Sequence, residues 1–150
     1  HVPETEEYGI SSFVYRARAP FDPLKFDAFT RMNFPGLIRA KGHFWLATRP
    51  DFAGEFSLAG AIVRSGPLGR WWAAVPRSRW PDAPELRQMI DDCWDEVYGD
   101  RRQEIVFIGA GMDKAAIRAA LDDCLIDTGG AFNERDYESL TDPFPSWTRG

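Results

Sequence analysis

The stretch Leu37–Thr48, which reads LIRAKGHFWLAT, decides the fold because it combines the pattern of a strand with basic residues. All of its even positions from 38 to 46 are apolar or small. The odd positions from 39 to 45 carry two basic residues, a histidine and a tryptophan, which are Arg39, Lys41, His43 and Trp45. Successive side chains of a strand point to opposite faces, so these four residues share one face. The stretch therefore predicts a strand with one face in the core and the other open to solvent or to a partner.

Strand and helix patterns alternate along the rest of the chain. Period-two alternation and turn signals predict strands near residues 10–18, 37–48, 55–64, 69–75 and 103–109, with a hairpin over 55–75 that turns at Gly66–Gly69. Apolar stripes and N-cap signals predict helices near residues 23–32, 84–94 and 113–125. The order β-α-β-β-β-α-β-α is typical of an α+β domain. We expect a mainly antiparallel sheet of about five strands, with all three helices on the face to which Phe44 and Leu46 point.

The two ends of the chain differ from its middle. The sequence begins HVPETEEYG without an initiator Met, which predicts a processed chain or an excised domain with a linker remnant over residues 1–8. The patterned part of the chain covers residues 9–127. Residues 128–150 contain Gly, Pro and charged residues without a period, and they predict an irregular tail pinned by Phe144 and Trp147.

Composition restricts the class of function. A chain of 150 residues is long enough to bury one core without disulfides or metal. Its 18 basic and 23 acidic residues give a net charge of −5, which argues against a protein built to bind phosphate backbones. Cys93 and Cys124 lie in helical patterns and fit a reduced, cytoplasmic protein with buried thiols. No apolar run reaches the length needed to span a membrane.

The short motifs predict no catalytic and no metal-binding residue. The segment Ile108–Lys114, IGAGMDK, follows a strand and opens a helix, but Lys114 stands where a dinucleotide-binding loop has its third glycine. Asp113 at the helix start would also repel a phosphate. His1 and His43 are the two histidines, and neither has a Cys, Asp or Glu partner at ligand spacing. No Ser lies in a G-x-S-x-G elbow.

Three interpretations of the basic and aromatic strand face stay open. The face docks another domain or a client protein, because Arg and Trp are typical of interface hot spots. Alternatively, it stacks the bases of a single-stranded nucleic acid. In the third interpretation the chain is a small stand-alone enzyme that brings His43 and carboxylates together in a pocket. A purely structural role competes with all three, since long basic side chains also shield a sheet and pair with acids on neighbouring strands.

Three segments together resemble the CobW C-terminal domain. They are RAKGHFWLATRPD at 39–51, RWWAAVPRSRW at 70–80 and GDRRQEIVFIGAGMD at 99–113. The similarity extends from about Tyr8 to Leu125. This domain is the second half of CobW-type GTPases, which are relatives of the HypB and UreG proteins.

The resemblance implies a non-catalytic module of a cytoplasmic, GTP-dependent metallochaperone, chiefly for zinc, with cobalt and cobalamin synthesis in some branches. The family's phosphate loop, switch segments and Cys-x-Cys-Cys metal site belong to a preceding GTPase domain and have no counterpart in this sequence. GTP with Mg²⁺, and zinc or cobalt, are therefore implied for that N-terminal domain and not for this chain. The implied partners are the GTPase domain itself and a metalloprotein client, with Arg39, Lys41, His43 and Trp45 as the expected docking residues.

Overall fold

The computed structural model describes residues 5–7, by their backbone alone, and residues 9–147. Its strands are β1 (Thr5–Glu7), β2 (Ile10–Ala17), β3 (Leu37–Phe44), β4 (Phe52–Ala59), β5 (Ile62–Arg70) and β6 (Gln103–Ala110). Its helices are α1 (Pro23–Thr30), α2 (Pro84–Asp92) and α3 (Lys114–Asp122). Short 3₁₀ turns lie at Trp72–Ala74, Arg77–Arg79 and Glu134–Asp136.

The strands form one sheet in the order β1-β2-β6-β3-β4-β5, and each neighbouring pair is antiparallel. The α+β class predicted from the sequence is therefore confirmed. The sheet has one strand more than expected, because Thr5–Glu7 pairs with the start of β2. These three residues belong to the expected linker over residues 1–8, the rest of which lies outside the described residues.

The central hairpin turns earlier than the sequence pattern indicated. The strand predicted over residues 55–64 is interrupted at Gly60, whose φ of +62° suits a tight turn that other residues rarely adopt. Residues 52–59 and 62–70 form its two arms, and the expected strand over 69–75 is wrong beyond Arg70. Gly66–Gly69, the predicted turn, lies within β5 opposite a register shift between Ala53 and Gly54.

The main core lies between the sheet and two helices, α1 and α3. Phe26 of α1 and Ile117 of α3 are fully buried together with Phe44 of β3 and Phe107 of β6. The rings of Phe26 and Phe44 have centroids 4.6 Å apart. Asp22 caps α1 by accepting a hydrogen bond from the Lys25 backbone N–H at 3.1 Å. The prediction that α1 and α3 cover the Phe44 face is confirmed.

The same prediction is wrong for α2, which lies on the opposite face at one end of the sheet. His43 points away from the Phe44 face, and the ring of Trp71 lies 5.6 Å from the His43 ring. Trp71 in turn lines a cavity together with Ile90 of α2. The apolar stripe of α2 therefore covers Trp71 rather than the main core. Helical periodicity shows that a helix has an apolar side, but not which element that side packs against.

The described part of the tail, residues 128–147, is irregular apart from one 3₁₀ turn and is pinned to the core. Phe144 and Trp147 are buried in the main core, while residues 148–150 lie outside the described residues. Arg49 holds the tail with two hydrogen bonds to the Asp142 carboxylate, both 2.8 Å long. The Arg49 guanidinium also lies 4.5 Å from the centre of the Trp147 ring. This arrangement explains how a segment with no α-helix or strand in its described part stays attached to the domain.

Candidate docking surface

One face of the sheet carries none of the described helices along most of its length, and we call it the open face. Antiparallel partners point to the same side, so the register defines the open face around β3. Arg39 lies between Ile108 and Ala59, Lys41 between Val106 and Ser57, and His43 between Glu104 and Glu55. The next positions outward are Ser12, Val14 and Arg16 on β2, and Ile62 and Arg64 on β5.

The open face combines basic groups with exposed aliphatic ones. Arg39, Lys41 and Arg64 are exposed, although the chain as a whole has a net charge of −5. Ile108 is 36% exposed and Ile62 59% exposed, so apolar side chains lie among the cations. A contiguous surface of this composition is typical of a protein interaction site, and its charge favours an acidic partner.

Acidic groups on the open face are concentrated at the end nearest α2. The Glu104 carboxylate pairs with Arg102 at 3.3 Å and with Arg16 at 3.6 Å. Burial alone would raise the pKa of Glu104, but the hydrogen bond and charge of Arg102, with further help from His43 and Arg16, hold that pKa below its ordinary value. Glu104 is thus engaged within the domain, and its charge does not cancel those of Arg39 and Lys41.

His43 is half-buried and does not act as a docking cation. Burial lowers the pKa of His43 below its ordinary value, and the charge of Arg102 lowers it further against the opposing effect of Glu104. The imidazole is therefore neutral at pH 7. Its Nε2 atom is buried and has no hydrogen-bond partner in the described part of the chain. Of the four residues predicted for docking, His43 marks the border between the open face and the buried region beside α2.

Trp45 is not part of the open face, and the prediction that its side chain is available to a partner is wrong. Its exposed fraction is 0%, in a second core cluster with Ala53 and Trp71. Its indole Nε1 donates to the Arg18 carbonyl at 3.0 Å. The rings of Tyr98 and Phe132 pack edge-on against it with centroids at 5.6 and 5.3 Å. Strand β3 ends at Phe44, one residue before Trp45. The distant segments that contain Tyr98 and Phe132 cover Trp45.

The structure adds residues to the open face that the sequence interpretation missed. Val106 and Ile108 of β6 flank Lys41 and Arg39, and Arg64 of β5 lies one strand further out. Strand β6 is apolar at the consecutive positions Ile105–Ile108, a pattern typical of a strand buried on both faces. Its odd positions from 103 to 107 are indeed fully buried, whereas Ile108 is exposed. The one signal for a partly open face is Glu104, the single charged residue of this strand, which shares its face with Val106 and Ile108.

The described residues contain no group of three His, Cys, Asp or Glu side chains that fits a metal ion. Cys124 is buried on the helical side of the sheet, where its thiol donates to the Ala120 carbonyl at 3.3 Å and burial raises its pKa to about 12. Cys93, expected to be buried, is only half-buried and follows α2 on the other side. The zinc of the implied metallochaperone therefore does not fit the described residues of this chain.

The nucleic-acid interpretation loses its structural basis among the described residues. A base-stacking platform needs exposed aromatic rings. The strongly exposed large apolar side chains are all aliphatic or methionine, and Trp45 and Trp71 are buried. Separately, none of the helices in the described part of the chain is long and apolar enough to cross a membrane.

Comparisons with known proteins agree with this geometry. The family model described as the cobalamin synthesis protein cobW C-terminal domain matches residues 10–125. The chain is 39% identical over 130 residues to zinc-regulated GTPase metalloprotein activator 1 of Dictyostelium discoideum, which covers 84% of this chain and 27% of that protein. It is 31% identical over 135 residues to a zinc chaperone of Mycobacterium tuberculosis, covering 89% of this chain and 34% of that protein.

Solved structures show the same fold. The Zn(II)-bound YjiA GTPase from E. coli matches with a TM-score of 0.52 and 18% identity, over 79% of this chain and 30% of that chain. A triple mutant of the same GTPase matches with a TM-score of 0.53. The chain thus spans only 27% to 34% of the length of these relatives.

Proposed function

Because the chain belongs to the family of the CobW C-terminal domain, we propose that it is the non-catalytic C-terminal module of a longer, GTP-dependent zinc chaperone. Its relatives include a zinc-regulated GTPase metalloprotein activator and a zinc chaperone, each about three times its length. In this proposal GTP, Mg²⁺ and zinc are handled by the GTPase region that precedes the module. The module itself neither hydrolyses GTP nor holds zinc, and the whole protein acts in the cytoplasm.

The open face is the docking surface for that GTPase region. The observation that supports this role is a basic, partly apolar sheet face, centred on Arg39, Lys41 and Ile108, that no helix of the described chain covers. In an α+β domain the second face of an antiparallel sheet is commonly polar and solvated, so exposed aliphatic groups among cations need a partner. An acidic surface on the GTPase region complements this face, and a nucleotide-dependent change in that surface repositions the module.

Reversing two charges on the open face tests this proposal. The double variant Arg39→Glu/Lys41→Glu is compared with the unchanged chain for binding to the GTPase region encoded upstream in the same gene and expressed separately. We expect at least about a tenfold loss of affinity, since opposite charges are replaced by like charges across the interface. Isothermal titration at two salt concentrations measures the effect, which shrinks as salt screens the charges.

A matched charge reversal on the covered side provides the control. The variant Lys25→Glu/Arg31→Glu changes two exposed residues at α1, on the other side of the sheet, and we expect affinity within about twofold of the unchanged chain. The Arg39→Glu/Lys41→Glu variant should unfold at nearly the same urea concentration as the unchanged chain, because both side chains are exposed. The control variant replaces the Arg31–Asp27 ion pair of 3.1 Å by two like charges, so we expect it to lose about 0.5–1 kcal/mol without unfolding. Equal binding by both variants would contradict docking through the open face.

A further inference from the structure

We propose that the rings of His43 and Trp71 form a proton-sensitive contact that attaches helix α2 to the sheet. In this contact the Trp71 indole Nε1–H donates a hydrogen bond to Nε2 of the neutral His43 ring. A proton that binds to Nε2 removes the acceptor, and the segment 71–92 then loosens from the sheet. The inference goes beyond docking through the open face and does not depend on it.

Two buried side-chain nitrogens lack a hydrogen-bond partner in the described part of the chain, and they belong to neighbouring rings. They are His43 Nε2 and Trp71 Nε1. The two ring centroids lie 5.6 Å apart, with the ring planes at 71° to each other. An indole N–H can only donate, whereas a neutral imidazole has one nitrogen that accepts. Because an unpaired polar atom destabilises an interior, the two nitrogens suit one another, directly or through one bridging water molecule.

Trp71 connects His43 to α2. Its side chain is 5% exposed and belongs to the second core cluster. It lines a cavity together with Ile90, the one buried residue of α2. Helix α2 is thus attached by a small apolar contact that begins at the ring beside His43. A change at the His43 ring therefore reaches α2 through Trp71.

The neutral form of His43 is the one that the fold favours. Burial lowers the pKa of His43, and the charge of Arg102 lowers it further against the opposing effect of Glu104. A hydrogen bond accepted by Nε2 acts in the same direction, because protonation would break it. The unfolded chain then takes up this proton at a higher pH than the folded chain does. The stabilising contribution of the contact is therefore complete above about pH 6.5 and is lost as the pH falls below that value.

The charged groups around the ring do not replace the lost bond. They are Lys41 on β3, Glu55 on β4, Arg16 on β2, Arg102 and Glu104 on the β6 side, Asp92 at the end of α2, and Arg70 and Asp100 at the Trp71 cavity. The nearest candidate for pairing with a protonated ring is Glu104, which Arg102 and Arg16 already engage at 3.3 and 3.6 Å. Glu55 is exposed, so water and salt screen its charge.

A pH titration of the unchanged chain by nuclear magnetic resonance tests the contact. Near pH 8 we expect Nε2 of His43 to show the ¹⁵N shift of an acceptor nitrogen. Between about pH 8 and 5 the Trp71 indole N–H signal should move with the same midpoint as the His43 ring. The indole signals of Trp45 and Trp80 are matched controls and should stay in place, because both donate to backbone carbonyl groups, which do not titrate.

Hydrogen exchange reports whether α2 loosens. Over the same pH range the protection factors of the α2 amides should fall at least about threefold, whereas those of β6 should not change. In the variant His43→Gln, which keeps an acceptor but does not titrate, the α2 protection should no longer fall. The same fall in His43→Gln as in the unchanged chain would overturn the proposal.

Trp71→Phe separates a hydrogen bond from simple burial of the histidine. The variant keeps an aromatic ring beside His43 but removes the donor, so the titration midpoint of His43 should rise by about half a pH unit. A midpoint that does not rise would overturn the proposal. If Trp71→Phe fails to fold, the unchanged chain still decides the matter: a Trp71 indole signal that stays in place while His43 titrates would also overturn it.

Discussion

Replacing Trp45 by Ala is expected to lower the free energy of unfolding by about 3–5 kcal/mol, the range for removing a fully buried large aromatic residue. The indole fills the centre of the second core cluster and is 0% exposed. It also carries a hydrogen bond from Nε1 to the Arg18 carbonyl at 3.0 Å, whose acceptor would lose that donor. Urea unfolding followed by circular dichroism measures the change.

Trp45→Phe serves as the graded control. It keeps an aromatic ring against Tyr98 and Phe132 but loses the Nε1–H donor, so we expect a loss of about 1–3 kcal/mol. A Trp45→Ala variant as stable as the unchanged chain would show that the second cluster does not support the fold. It would also restore Trp45 as a candidate docking residue. With the expected result, Trp45 cannot be used to test docking, because its replacement disturbs the domain itself.

The second large effect is expected at Gln103, which is fully buried at the start of β6. Its Oε1 accepts from the Trp45 backbone N–H at 2.9 Å. Its Nε2 donates to the Ala19 carbonyl at 3.0 Å and to the Trp45 carbonyl at 2.9 Å. One amide thus extends the connection between β2, β3 and β6 past the last ladder pairs, Ala17 with Gln103 and His43 with Glu104. Gln103→Leu conserves the size of the side chain but removes these bonds, and we expect a loss of about 3 kcal/mol from unpaired buried groups.

Gln88→Leu is the matched control for that substitution. Gln88 lies on the exposed side of α2 and bonds to Asp92 at 2.8 Å near solvent, so its replacement should change stability by about 0.5 kcal/mol or less. Equal effects of the two substitutions in urea unfolding would contradict the role assigned to Gln103. A buried glutamine gives no signal in a sequence, because its partners are backbone groups distant along the chain.

The sequence predicted most of the fold because period-two patterns persist wherever one face of a strand is buried. Residues 37–44 alternate between core and open face, and this fixed both the strand and the side on which Arg39 and Lys41 lie. The hairpin turn was misplaced because Gly66 and Pro67 are strong turn residues, whereas the actual turn is the two-residue Gly60–Ala61, with one glycine. Local propensity could not show that β5 continues through them along an edge, where proline is tolerated.

The candidate docking site was predicted only in part, because its limits depend on contacts between distant segments. Arg39 and Lys41 are exposed as predicted. Trp45 also stands at an odd position of the stretch, as Arg39 and Lys41 do, but Tyr98 and Phe132 bury its side chain. Both of these residues follow Trp45 by more than fifty residues in the chain. The position of α2 was missed for the same reason, since a helix stripe shows that a helix packs but not against which side of a sheet.

Selective acetylation of lysine tests the central claim, docking through the open face, most directly. The chain has only Lys25, Lys41 and Lys114, and of these Lys41 alone lies on the open face. The chain is treated briefly with N-hydroxysuccinimidyl acetate, with and without the GTPase region proposed to precede it, and modification is quantified by mass spectrometry. We predict that the GTPase region slows acetylation of Lys41 severalfold and leaves Lys25 and Lys114 unchanged. An unchanged Lys41 under conditions in which the two parts form a complex would contradict the account.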